Sequence, residues 1–235
     1  MKAGFHTADI TPALGMEAPG GYLKATVRQI HDPLKVRAAV LDDGRQTLAF
    51  VGLDTCLFQS LIIRDRIREG VREQCGIPND HVLLAASHTH SGGPLMGWLP
   101  EEYADAPEPV QALIRDHSVA VDPLYAEWVI RQTITAVAEA HRKREAVTLS
   151  IGSGHEEQAA FNRRFHMANG RVYTHPGKGN PDIREPAGPI DPEVGVVGAW
   201  NARGELLGCL VNYTCHATTF SGSPSTFAPD PSRHV

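Results

Sequence analysis

The stretch Ser87-His88-Thr89-His90-Ser91-Gly92-Gly93 sets two imidazoles one residue apart and follows them with a glycine pair. Neutral imidazole is a common zinc ligand, with Zn–N near ~2.0 Å. Glycines beside it permit tight backbone turns and close approach of a substrate. On a strand, residues i and i+2 would point the same way; in a loop their directions stay open. As a bare pattern His-x-His is moderately specific. Its alternative reading is a pair of polar loop histidines.

Further candidates lie elsewhere in the chain. His216 follows Val211-Asn212-Tyr213-Thr214-Cys215, at the end of the apolar run Leu206–Tyr213. That is where α/β proteins tend to place ligands, and a histidine capping the strand is the alternative. Cys215 beside it is a candidate ligand or nucleophile, although side chains adjacent in sequence usually point apart. Asn162-Arg163-Arg164 offers guanidinium groups that bind carboxylates and stabilise oxyanions; a solvated basic turn is the alternative. Asp54 ends the run Thr47–Leu53, and His31 opens His31-Asp32-Pro33. Each is a candidate ligand or a candidate to support a metal-bound histidine from behind, as carboxylates commonly do; a structural cap is the alternative. No strand-turn-helix elbow surrounds Ser87 or Ser91, so neither reads as a nucleophile.

The elements that must carry these residues follow from periodicity. Val36–Leu41 and Thr47–Leu53 flank Asp42-Asp43-Gly44 and predict a β-hairpin. Leu61, Ile62, Arg64, Ile67 and Val71 repeat at helix spacing, and Gly76 and Pro78 end the helix. His81–Ala86 reads as a short buried strand running into the histidine loop. Leu99–Pro123, rich in Pro, Asp and Glu, reads as an insertion or lid-like segment. Tyr125–Arg144 is an amphipathic helix, Ala146–Ile151 a strand, and Ala168–Pro192 mostly loop. Val194–Ala199 and Leu206–Tyr213 are strands around Asn201–Gly204. Hairpins mixed with helices predict an α/β fold with a mixed β-sheet and flanking helices, as one catalytic-type domain.

Composition narrows the function classes. With 42% hydrophobic and 21% charged residues, the chain has globular rather than disordered character. A formal charge of −5 without a long basic run argues against nucleic acid as a partner. No stretch approaches the roughly 20 apolar residues of a membrane span, so no transmembrane segment is expected. The N-terminus shows no signal-peptide pattern, which leads to the expectation of a cytoplasmic protein. The four cysteines, Cys56, Cys75, Cys209 and Cys215, stand in no metal spacing and are expected as buried free thiols.

Taken together, these segments resemble the N-terminal catalytic domain of the neutral (non-lysosomal) ceramidase family over nearly the whole chain. Thr7-Ala8-Asp9-Ile10-Thr11-Pro12 looks like that family's opening segment, and His31-Asp32-Pro33-Leu34, with Arg37-Ala38, like its next block. Val51-Gly52-Leu53-Asp54 looks like its strand ending in Asp. Ser87–Gly92 matches its zinc loop, and Asn162-Arg163 its arginine motif. Gly188-Pro189-Ile190-Asp191-Pro192-Glu193 and Asn212–His216 resemble the run into its second histidine. The resemblance implies a neutral-ceramidase-like zinc hydrolase domain over residues 1–235. It further implies Zn2+ held by His88 and His216, substrate contact and proton movement at His90, and substrate or oxyanion binding by Arg163. The family's remaining ligands are a glutamate and a tyrosine further along, so the chain is expected to be incomplete at its C-terminus. Asp230 stands near the place of a further family Asp, in a different setting, Ala228-Pro229-Asp230-Pro231.

The implied reaction is hydrolysis of the N-acyl linkage of ceramide or a related N-acyl lipid by metal-activated water. Leu99–Pro123 is acidic and Pro-rich rather than a wide apolar lid. A zinc hydrolase of a small soluble amide or ester therefore stays open, as does an inactive fragment or binding remnant.

Overall fold

A computed structural model describes residues 1–19, 24–57, 59–118, 121–218 and the backbone of 226–227. Internal packing groups the chain into two compact units. The first comprises Met1–Thr148, Ala199–Gly208 and Ala217–Val235; the second comprises Leu149–Gly198 and Cys209–His216.

In chain order the strands are β1 (Lys2–Asp9), β2 (Gln29–Ile30), β3 (Lys35–Asp42), β4 (Thr47–Leu53), β5 (Val82–Ala86), β6 (Glu145–Ala146) and β7 (Thr148–His155). They continue with β8 (Arg164–Met167), β9 (Val172–Thr174), β10 (Ile183–Pro186), β11 (Glu193–Trp200), β12 (Leu206–Tyr213) and β13 (Thr226–Phe227). The α-helices are α1 (Leu61–Cys75), α2 (Glu108–Ala112) and α3 (Pro123–Arg142).

The first unit is built on a five-stranded sheet in the order β5-β4-β3-β1-β6. β1, β3 and β4 are antiparallel neighbours, and β4 pairs parallel with β5, so the sheet is mixed as expected. The hairpin between β3 and β4 turns at Gly44, whose φ of 85° suits glycine best. Asp43 accepts the Arg45 and Gln46 amides across that turn.

Alternation decides which face is buried. Val36, Ala38 and Val40 on β3, with Ala49, Val51 and Leu53 on β4, are all buried at period two. Against them lie Ile63, Ile67 and Val71 of α1 and Val129, Ala136, Val137 and Ala140 of α3. Each fully buried Ile or Val side chain stabilises by roughly 1.5–3 kcal/mol. Ser60 caps α1 by accepting the Ile63 amide, and Gly76 ends it in the left-handed conformation at φ 69°. Asp122 caps α3, ahead of Pro123 at its first position.

Several expectations need adjusting. β1 lies between β3 and β6, yet Lys-Ala-Gly-Phe-His-Thr-Ala-Asp has too little apolar bulk to read as a strand. Its small residues are required: a Cβ on Gly4 would lie 2.0 Å from the Ala140 carbonyl oxygen of α3. The strand expected at Ala146–Ile151 is two strands, because the Val147 amide turns to the Met1 carbonyl at 3.1 Å. Ala168–Pro192 contains β9 and β10, which flank β8 in a three-stranded antiparallel sheet of the second unit. Short helical turns, including α2, structure much of Leu99–Pro123. A further three-stranded sheet has β11 between β7 and β12. No helix among the described residues is long and apolar enough to cross a membrane.

Candidate metal site

Parallel pairing of β4 with β5 creates the first half of the candidate site. Leu53 pairs with Ala86, so the chains leaving both strands, Asp54-Thr55-Cys56 and Ser87-His88, emerge at the same edge. The Ser87 amide donates to the Leu53 carbonyl at 2.9 Å and extends that pairing. The next residue, His88, has φ 61°, a left-handed conformation that non-glycine residues adopt rarely and at a cost. This bend turns the chain so that His88 Nδ1 sits 2.8 Å from the Cys56 carbonyl oxygen. A carbonyl only accepts, so Nδ1 carries a proton; in a neutral imidazole that leaves the lone pair on Nε2, the arrangement usual for a metal-ligating histidine.

The loop is tied down on both sides. The His90 amide donates to the Ala217 carbonyl at 3.3 Å, and the Ser91 amide to Thr89 Oγ1 at 3.2 Å. Thr89 and Ser91 are buried, as is His90 Nε2. The His88 and His90 rings meet edge to face with centroids 4.9 Å apart. Both following glycines serve close approach: a Cβ on Gly92 would lie 3.2 Å from Thr55 Cα, and one on Gly93 would fall 2.4 Å from the Tyr125 ring. Tyr125 is itself fixed, its hydroxyl donating to the Ile10 carbonyl at 2.7 Å, and burial pushes its pKa up. Ser87 Oγ is buried without a hydrogen-bond partner among the described residues.

Cys56 completes the cluster. One ligand atom from each of Cys56, His88 and His90 lies within 4.8 Å of the others. Sulfur and imidazole nitrogen are the donors zinc prefers, so the residues present fit that metal by chemistry and proximity. Burial pushes the Cys56 thiol up to about 11. Along the chain the cysteines stand in no metal spacing; in space Cys56 lies beside the two histidines. Among the described residues all four cysteines are free, as expected, but only Cys56 is fully buried and Cys209 is exposed.

The two supporting candidates are engaged locally. Asp54, 1% exposed, accepts Arg37 Nη1 at 2.8 and 2.9 Å and the Lys35 amide at 2.8 Å. Burial pushes its carboxyl up while the Arg37 guanidinium pulls it down. It therefore fastens the end of β4 to β3. His31, exposed, places Nδ1 2.7 Å from Asp32 Oδ2.

Within the second unit, Arg163 and His216 come together: Arg163 Nη1 lies 3.5 Å from His216 Nε2. Guanidinium only donates, so Nε2 faces it with a lone pair, at a separation that makes a weak bond. The Arg163 carbonyl accepts the His175 amide at 3.1 Å. Asn162 Nδ2 donates to the Pro189 carbonyl at 3.3 Å, and Gly188 gives it room, since a Cβ there would lie 3.0 Å from Nδ2. Three blocks quoted from the sequence thus meet in this unit: Asn162-Arg163, Gly188-Pro189 and His216. Cys215 Sγ rests 3.9 Å from the Ala159 carbonyl, and burial raises its pKa. Asp230 lies outside the described residues.

No protein-family model matches the chain. In sequence it is 25% identical over 237 aligned residues to neutral ceramidase of Pseudomonas aeruginosa strain PAO1, covering 97% of this chain and 32% of that protein. This chain resembles neutral ceramidase. Solved structures agree on the fold. A ceramidase complexed with C2 matches with a TM-score of 0.67 at 21% identity, over 97% of this chain and 33% of the other. The crystal structure of neutral ceramidase from Pseudomonas aeruginosa matches with 0.68 at 20%, over 97% and 34%. The chain thus spans about a third of the length of these relatives. Against this neutral-ceramidase-like background, Cys56 is the residue that sequence reasoning missed. Its signal was position: it follows β4 by three residues, and β4 and β5 are parallel neighbours.

Proposed function

We propose that this chain carries part of the active site of a zinc-dependent amide hydrolase that cleaves the N-acyl linkage of ceramide or a related N-acyl lipid. The observation that carries the reading is the His88 loop: a left-handed histidine at a strand's C-terminal end, its Nδ1 held by a carbonyl, with a second imidazole beside it. The likeness to neutral ceramidase over 97% of the chain supports the substrate class.

In this proposal His88 and His216 hold the zinc. Bound zinc supplies Lewis acidity and lowers the pKa of water to roughly 7. The chain's own groups do the rest. His90 Nε2 passes a proton to the leaving amine nitrogen, a role typically worth about 10²–10⁴-fold. Arg163 donates to the acyl oxygen as negative charge gathers there. Gly92 and Gly93 keep the loop backbone free of side chains that would crowd its neighbours.

Zinc analysis beside hydrolysis kinetics on N-acylsphingosines of graded chain length tests the reading. His88→Ala and His216→Ala should each lose zinc and activity together. His90→Ala should keep its zinc and lose about 10²-fold in kcat. Turnover that ignores acyl length would point instead to a small soluble amide or ester. Protein that takes up no zinc would overturn the hydrolase reading in favour of a binding remnant.

A further inference from the structure

We propose that Cys56 is an additional protein ligand of the same metal, its thiolate joining the His88 imidazole on the ion. The inference rests on His88 being a ligand and adds a donor that the spacing of the sequence hides.

Three independent features place the sulfur there. Register comes first: Leu53 pairs with Ala86, so Cys56 leaves β4 at the edge where His88 leaves β5. Second, the ligand atoms of Cys56, His88 and His90 all lie within 4.8 Å of one another. Tetrahedral zinc with Zn–S of ~2.3 Å and Zn–N of ~2.05 Å needs donor separations of roughly 3.3–3.6 Å, so side-chain rotation must bring the sulfur and the imidazole nitrogen to ligand spacing. Third, the Cys56 carbonyl accepts from His88 Nδ1 at 2.8 Å, so the residue that would supply the sulfur also orients the neighbouring imidazole. Gly92 keeps the loop pressed on Thr55 and Cys56, with virtual Cβ distances of 3.2 Å to Thr55 Cα and 3.4 Å to Cys56 N.

Coordination would exchange the S–H bond for a sulfur–metal bond and release the proton to solvent. Packing alone accounts less well for the position, since a thiol serving only to fill space has no reason to converge with two imidazoles. His90, the third member of the cluster, stays within reach of the metal as a proton-moving group.

Cobalt(II) replacing zinc tests this without any activity measurement, because a thiolate ligand adds a sulfur-to-cobalt charge-transfer band in the near ultraviolet. The wild-type chain loaded with cobalt should show that band. Cys56→Ser should lose it while keeping its folded circular dichroism, and should bind zinc at least roughly 10–100-fold more weakly, the loss typical even for a residue that only supports a ligand. The combined Cys75→Ser, Cys209→Ser, Cys215→Ser variant should keep the band, and it carries the test alone if Cys56→Ser does not fold. His90→Ala should also retain it.

Cobalt bound without a thiolate band overturns this proposal and leaves the histidine reading standing. A band that persists with full cobalt affinity in His216→Ala supports Cys56 and removes His216 from the ligand set. A chain that binds no cobalt overturns both.

Discussion

His88 and His90 sit half-buried where a parallel strand pair ends, whereas Arg163 and His216 are exposed in the second unit. The surroundings differ in the same sense. The first unit buries Ile63, Ile67, Val71, Val129 and Val137 against alternate residues of β3 and β4. Among the described residues of the second unit, Met167 is the one apolar side chain fully buried, while Ile151 is 84% and Phe161 74% exposed. A residue braced by a core has its orientation set before any ligand arrives. An exposed arginine must be ordered on binding, at a side-chain entropy cost of up to about 2 kcal/mol. The left-handed backbone at His88 belongs with the first case, since local strain persists only where the surroundings over-determine it. The second unit also has little of the core that an independently folding domain needs.

The contrast can be broken most forcefully at the core. Ile67→Ala in α1 removes a fully buried side chain from the core that α1 shares with the sheet carrying the histidine loop. It should destabilise by about 2–5 kcal/mol in urea unfolding. Ile151→Ala in the second unit, made the same way, should stay within about 0.5 kcal/mol. Equal effects would erase the distinction between the two units.

A middle-sized effect is expected at Asp54→Asn. The buried carboxylate takes three hydrogen bonds, two from Arg37 and one from the Lys35 amide. An amide there must turn its NH2 toward one of these donors. Arg37, with its side chain 44% exposed, can recover water, which keeps the loss to about 1–3 kcal/mol rather than that of a fully buried pair. Loosening the end of β4 should also weaken metal uptake at the neighbouring loop, measurable by zinc titration. Unchanged zinc affinity in a destabilised protein would show that Asp54 braces the sheet and not the site.

The smallest change in stability is expected at Arg163→Ala. Among the described residues its guanidinium makes one hydrogen bond, a long one of 3.5 Å to His216 Nε2. Unfolding should shift by no more than about 0.5 kcal/mol, while transition-state binding weakens by a few kcal/mol if the proposed role is right. A large loss of stability would instead make Arg163 a structural residue of the second unit.

Much of this was legible beforehand, because it depends on neighbours in sequence. The β3–β4 hairpin, α1 with its Gly76 stop, the strand before the histidine loop and β12 all follow from period, turn chemistry and caps. Those signals act over a few residues, so they survive in any tertiary setting. β1 was not legible, since its small residues reflect the closeness of α3 at Ala140, 136 positions beyond Gly4 in the numbering.

Sequence by itself determined the histidine loop, its glycines and the mixed character of the sheet, and it marked Asn162-Arg163 and His216 as candidates. Only tertiary structure decided that Cys56 stands with His88 and His90, that Asp54 is engaged by Arg37, and that Arg163 meets His216. The reason is physical: parallel pairing across an intervening helix brings together residues whose separation along the chain carries no periodic trace. Donor chemistry can be read from residue type, but convergence comes from register.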